Sequence, residues 1–417
     1  MADDVSNPLH RMLGPMQPTP ADLFYARCGI ERHAGAMEFW AELSLRCGDD
    51  GAREVGDLLE RRAHGVGDAD DVAVFACDPD RQRVTVDTAS PHTWAWLNVL
   101  AGVSDLGEAL DLGCGGGVVT CFLAALHPNA HVVGVDANPT AIATARRMAR
   151  ELDLPNVDFV VADVAGLDLG RRFDLVVSSA VWAETEQWVH AGRWWSALNE
   201  MPRLFAAGAV SSHLAVAAER HLDRNGVYLS LERCRDLAGL SAWVAALQNV
   251  GLNFDATISD MLTIDGVLTG PERLPFVAAR RETLPATVND LVQWRLRVGD
   301  PRLDESLLAE MVMATGTPWA LVVGRVFEAE EDGDTFSAAL LLLERGDEGK
   351  LYFATTRGVR EVLASSPDGG AAQFQPLFRR MRDEIGSRKA VRSGRVAVDA
   401  DLAVVVPRPI VTPGGGR

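Results

Sequence analysis

The chain has 417 residues, 47% of them hydrophobic and 24% charged, a balance that excludes a wholly disordered, collagenous or coiled-coil protein and suits two or three domains. Its formal net charge of −18 repels phosphodiester backbones at long range, so nucleic-acid substrates lose weight. No apolar run reaches the roughly 18–20 residues that span a bilayer, and the acidic start Met1-Ala2-Asp3-Asp4 is not that of a secretion signal.

Apolar residues recur at helical spacing from Pro20 to about Ala63, with breaks at Ala34-Gly35 and Gly48-Asp49-Asp50-Gly51, which predicts a small helical domain. Two alternating runs follow, Val72–Cys77 and Val84–Asp87. The turn-rich junction between them, Asp78-Pro79-Asp80-Arg81-Gln82, predicts a hairpin. Strands at Ala109–Leu112, Val132–Asp136 and Val157–Asp163 then alternate with helices at Val118–Leu126 and Thr140–Leu152, the pattern of βαβ units in a parallel sheet. His127-Pro128 stops the first of these helices and Asn138-Pro139 starts the second.

A fourth strand, Phe173–Ser178, leads into a tryptophan-rich helical stretch reaching Phe205. Then come a helix at Ser212–His221, a fifth strand at Gly226–Leu231, a helix ending at Val250-Gly251, and a strand pair, Asn253–Ile264 with Pro275–Arg280. From about residue 283 the pattern changes to a helix near Leu303–Met313, strands near Trp319–Phe327, Ser337–Glu344 and Leu351–Thr355, and helices at Val359–Leu363 and Pro376–Ile385. The expected division is a helical domain with a hairpin over 1–88, an α/β domain over 89–282, an α+β domain over 283–410 and a flexible tail over 411–417. The basic run Arg379, Arg380, Arg382, Arg388, Lys389, Arg392 and Arg395 reads as a solvated helix face, the alternative being a local patch that docks RNA on an acidic protein.

The chemistry concentrates in Leu110-Asp111-Leu112-Gly113-Cys114-Gly115-Gly116-Gly117, a glycine loop that follows a strand and opens a helix. Such a loop turns tightly and lets a ligand approach closer than a Cβ would permit. Asp136 ends the next strand, where a carboxylate can accept from a ribose diol, and Asp163 ends the third, within reach of a base edge. Six scattered cysteines show no CxxC pair, and no His cluster has metal spacing, so neither a disulfide framework nor a metal site is expected.

On these residues, together with Val133-Gly134-Val135-Asp136-Ala137-Asn138-Pro139, Ala162-Asp163 and Phe173-Asp174-Leu175-Val176-Val177-Ser178, the chain resembles the class I S-adenosylmethionine-dependent methyltransferases from about Ser90 to Arg280. The resemblance implies a Rossmann-like seven-stranded sheet with an antiparallel last strand. It also implies S-adenosylmethionine as cofactor, with Asp111, Gly113, Gly115 and Gly117 around its methionine part, Asp136 and Ala137 at the ribose, and Asp163 and Val164 at the adenine. Thr93, in Ser90-Pro91-His92-Thr93, is similar to the Pro-x-x-Thr segment that borders the cofactor in glutamine- and ribosomal-type methyltransferases. Those enzymes carry Asn-Pro-Pro-Tyr after the fourth strand. This chain has Ser178-Ser179-Ala180-Val181-Trp182, which argues against amide or adenine methylation by their mechanism. Dinucleotide dehydrogenases use GxGxxG, a pattern that suits a pyrophosphate better than this loop does.

The acceptor should meet the segment after the fourth strand, so Ser178, Trp182, Glu184 and Trp188 are the candidate pocket residues and His190 the candidate general base. Trp182, Trp188, Trp194 and Trp195 would form an aromatic wall for a flat or cationic acceptor, or would simply pack a helix on the sheet. His213 and His221 are weaker base candidates. The expected function is methyl transfer to a small molecule in specialised metabolism by a cytoplasmic enzyme, with a homodimer compatible with this reading. The alternatives are methylation of a protein or RNA, and a non-methylating protein that keeps the cofactor fold.

Overall fold

A computed structural model of the protein describes residues 17–63, 75, 78–182, 211–232, 234, 237–268, 270–298, 319–331, 334–355, 360–387, 391–399 and 404–407. The chain divides into two units: 1–185 with 217–232 and 262–276, and 186–216 with 233–261 and 277–417.

In the first unit, α1 (Pro20–Cys28) starts at a capping box. The Thr19 hydroxyl accepts from Asp22 N, the Asp22 carboxylate answers to Thr19 N, and Gly29 in the left-handed region ends the helix. Helix α2 (Ala36–Ala63) is kinked at Gly48, at the predicted break. Phe39, Leu43 and Val55 of α2 pack with Val84 in a buried cluster, and Val84 belongs to α3 (Pro79–Ala89). The predicted hairpin is therefore corrected: residues 84–87 are helical. The Asp78 carboxylate caps the helix by accepting from Asp80 N (3.0 Å) and Arg81 N (2.8 Å), and Pro79 presets the first turn. The first arm of that hairpin, Val72–Cys77, lies outside the described residues apart from Phe75. After α4 (His92–Leu100) the sheet begins.

Strands β1 (Glu108–Leu112), β2 (His131–Asp136), β3 (Val157–Val161) and β4 (Phe173–Ser179) are joined by α5 (Val118–Leu126) after β1 and α6 (Pro139–Glu151) after β2. Then follow α7 (His213–His221), β5 (Leu222–Leu231), α8 (Leu237–Asn249), β6 (Asn253–Phe254), β7 (Asp260–Gly266) and β8 (Gly270–Arg280). The strand order is β3-β2-β1-β4-β5-β8-β6, with β7 paired to β8. The main path thus has the expected seven strands, and β7 adds an eighth. Strand β1 runs parallel to both β2 and β4, so Asp111 stands beside Gly134 on one side and Val177 on the other. The strand order reverses at β1, and the carboxyl ends of β1 and β4 open the crevice where ligands bind in such sheets.

The second unit takes in α8 and β6 and holds α9 (Val288–Arg297) and a six-stranded antiparallel sheet, β12-β11-β10-β9-β13-β14. Its strands are β9 (Ala320–Glu331), β10 (Asp334–Arg345), β11 (Glu348–Thr355), β12 (Arg360–Ser366), β13 (Val391–Asp399) and β14 (Val404–Pro407). Helix α10 (Gln375–Gly386) buries Phe378 against Phe327, Leu340, Leu342 and Leu351. The helix predicted at Val359–Leu363 is instead strand β12: Leu351 of β11 pairs with Ala364, and an open sheet edge outweighs a short run's weak helical period. The basic run is split likewise, since Arg379, Arg380 and Arg382 lie on α10 and Arg392 and Arg395 on β13. The helix predicted near Leu303–Met313 and the tail 411–417 lie outside the described residues.

Candidate functional site

The glycine loop is built by the ends of β1 and β2. Gly113 N and Cys114 N both donate to Val135 O, at 2.8 and 2.9 Å. This tight turn sets Gly113 at φ +72°, and a Cβ there would stand 2.3 Å from Val181 Cγ2. Gly117, at φ +81°, opens α5, and a Cβ there would meet Ala145 Cβ at 2.6 Å. Gly115, also with positive φ, donates its N–H to Asp136 Oδ2 at 2.9 Å. The other carboxylate oxygen of Asp136 accepts from Asn138 N at 2.8 Å. Asp136 therefore closes the loop with one bond per oxygen, and a carboxylate oxygen has capacity for a second donor.

Asp111 is 2% exposed, and its Oδ2 accepts from Thr120 Oγ1 at 2.6 Å. Burial pushes its carboxyl up to about 7, an effect the Thr120 hydrogen bond opposes and the nearby Asp136 charge reinforces. Asp163 is exposed, and its Oδ1 accepts from Ala165 N at 2.8 Å; Ala137 is exposed and Val164 half-buried. Thr93 is buried in the first turn of α4, a helix that packs against α3 and α5. Asp111 and Asp136 thus stand at the carboxyl ends of β1 and β2, with Asp111 withdrawn by burial, while β3 ends at Val161 and Asp163 lies just past it rather than within the strand as its sequence suggested.

Across the crevice, Ser178 is fully buried and turned toward β5. Its hydroxyl pairs with Tyr228 OH at 2.7 Å and donates to Glu232 Oε1 at 3.0 Å, so the structure places this candidate pocket residue in an internal network. Trp182 is 4% exposed. Glu184, Trp188 and His190 lie outside the described residues, as do Trp194 and Trp195. His213 is exposed. His221 is held as a structural group: Nδ1 faces Ala217 O at 2.8 Å and Nε2 accepts from Leu169 N at 3.0 Å, which places the ring proton on Nδ1 and leaves no base for catalysis. Among the described residues no three His, Cys, Asp or Glu side chains converge as a metal site.

Two contributors were missed by sequence reading. Gln82 of α3 lies against the loop, its Nε2 standing 1.9 Å from where a Gly116 Cβ would be. Glu232, 2% exposed, follows β5 and faces the end of β4. The signal for Glu232 was a polar period of two, Tyr228, Ser230 and Glu232, alternating with the apolar Val227, Leu229 and Leu231; Gln82 had none.

A family profile described as a methyltransferase domain matches residues 104–243. Trans-aconitate 2-methyltransferase of Methylobacterium radiotolerans is 30% identical over 210 residues, covering 50% of this chain and 67% of that protein. The Acidovorax sp. protein of the same name is 29% identical over 249 residues, covering 58% of this chain and 88% of its own. Among solved structures, the precorrin-6y C5,15-methyltransferase of Geobacter metallireducens GS-15 aligns over 45% of this chain and 88% of that one, at 16% identity and a TM-score of 0.33.

Proposed function

The chain belongs to the class I S-adenosylmethionine-dependent methyltransferases, and from that premise we propose that it methylates a small-molecule acceptor. When bound, the cofactor supplies a sulfonium-activated methyl group for in-line displacement. The observation that carries the site assignment is the loop closed by Asp136 and Gly115 at 2.9 Å, half-exposed at the point where the strand order reverses. A ribose diol would take the remaining acceptor capacity of the Asp136 carboxylate. Gly115, which has no side chain, would let the methionine part lie against backbone, and Asp163 would meet the adenine edge.

For the acceptor, the net charge of −18 and the absence of Asn-Pro-Pro-Tyr after β4 speak for a small molecule, and two relatives are named for one, trans-aconitate. The protein's part is alignment and water exclusion at the crevice between β1 and β4. Calorimetric titration with S-adenosylmethionine tests the first half, and S-adenosylhomocysteine release with trans-aconitate as first probe tests the second. A chain that binds no S-adenosylmethionine would overturn the site assignment. One that methylates RNA or protein in preference to small acids and amines would overturn the acceptor class.

A further inference from the structure

The turn that leaves β4 is built unusually. Ala180 adopts φ +59°, a left-handed conformation that a residue with a Cβ holds only when its surroundings enforce it. The enforcing contacts lie on both sides. Ala180 N donates to Leu231 O at 2.9 Å, which ties the turn to the end of β5. Immediately beyond, Glu232 reaches across: Oε2 accepts from Trp182 N at 3.1 Å, and Oε1 accepts from Ser178 Oγ at 3.0 Å and Ser230 Oγ at 3.3 Å. One buried carboxylate therefore grips the turn before and after its left-handed residue. Between those grips, Val181 fills the space where a Gly113 Cβ would be.

We propose that Glu232 is a positioning residue for methyl transfer, clamping the Ser178–Trp182 turn so that Val181 is pressed on the glycine loop. This rests on the reading of the Gly113 loop as the cofactor site. The clamp links the two halves of the crevice, because the same turn touches the loop at Gly113 and begins the segment that follows β4. Hydrogen bonding, rather than charge, is what the geometry asks of residue 232. A glutamine can accept from Trp182 N through Oε1 and donate through Nε2 to a serine hydroxyl, which rotates to accept. An alanine can do neither, and an aspartate is one methylene too short to hold Ser178 and Trp182 together.

The test compares Glu232→Gln, Glu232→Ala and Glu232→Asp with the wild-type chain by amide hydrogen exchange and by calorimetric titration with S-adenosylmethionine. In Glu232→Ala the Trp182 amide should exchange roughly tenfold faster or more, and cofactor affinity should fall about three- to tenfold as Val181 loosens from the loop. Glu232→Gln should restore both to within about twofold of wild type. Glu232→Asp should lie between, and it carries the test if the alanine variant does not fold. Unchanged Trp182 exchange, unchanged affinity in both shortened variants, or a glutamine variant as impaired as alanine would overturn the proposal. The exchange measurement needs no ligand, so it reads the clamp separately from the cofactor assignment.

Discussion

The hydroxyl of Thr120, in the first turn of α5, donates to Asp111 Oδ2 at 2.6 Å, beneath the glycine loop. That single bond does not offset the burial of Asp111, whose carboxyl stays pushed up to about 7. An unfolded chain releases the same proton near pH 3.9. Between those values the folded state holds a proton that the unfolded state has lost, so stability should fall as pH rises from about 4 to about 7 and then level off. The difference amounts to at most about 4 kcal/mol. Urea unfolding across this range should show the slope, and Asp111→Asn should remove most of it; an identical slope in the variant would assign the effect elsewhere.

On the proposed site assignment, the same carboxyl should make cofactor binding proton-linked. A sulfonium cation near the loop favours the ionised form of Asp111, so binding below about pH 7 should release protons. Titrations in two buffers of different ionisation enthalpy would register that release, and equal apparent enthalpies would count against it.

Asp136 holds Gly115 N and Asn138 N and is assigned the ribose. Replacing it with alanine leaves two loop amides and a bound diol without their acceptor, so S-adenosylmethionine affinity should drop by about 1.5–3 kcal/mol, roughly 10- to 150-fold. Equal affinities by calorimetry would remove Asp136 from the site.

Two neighbouring glycines should respond differently to alanine. At Gly113 the backbone is left-handed and the new Cβ would lie 2.3 Å from Val181 Cγ2, so Gly113→Ala should destabilise by about 2–5 kcal/mol through backbone cost and overpacking together. At Gly116 the obstacle is the end of the flexible Gln82 side chain. Gly116→Ala should therefore cost less, and adding Gln82→Ala should recover most of the loss. Denaturant midpoints for the four chains decide this, and non-recovery in the double variant would mean that Gln82 is not the obstacle.

Salt separates the acceptor classes. Binding that depends on many phosphate contacts weakens steeply with ionic strength, whereas turnover on a small molecule, even an acid carrying only a few charges, should fall much less steeply between low and moderate salt. Methyl transfer followed across that range, once an acceptor is in hand, makes the comparison.

Much of the glycine loop's geometry was legible because its determinants are local. Gly113, Gly115 and Gly117 take positive φ, and Asn138 caps α6 through bonds to Thr140 N and Ala141 N; each is a preference written within a few residues. The short, near-continuous apolar runs of β1, β2 and β4 likewise mark parallel strands buried on both faces. Where a segment supported two periods, local reading failed. Residues 84–87 alternate like a strand, yet Asp78 and Pro79 start a helix there, and Val84 gains its burial against Phe39, Leu43 and Val55 of α2.

The sequence by itself determined the βαβ order, the glycine loop and the placing of Asp111 and Asp136 at strand ends, because chain stereochemistry and caps act over one or two turns. Only the tertiary structure decided that 360–366 joins β11 as a strand, that Ser178 turns into a network with Tyr228 and Glu232, that His221 is consumed by Leu169 N, and that Gln82 rests on Gly116. Each of these depends on a partner brought alongside by sheet pairing or helix packing. A side chain's role is then set by which buried donor or acceptor it must satisfy, and that partner is absent from the local pattern of the sequence.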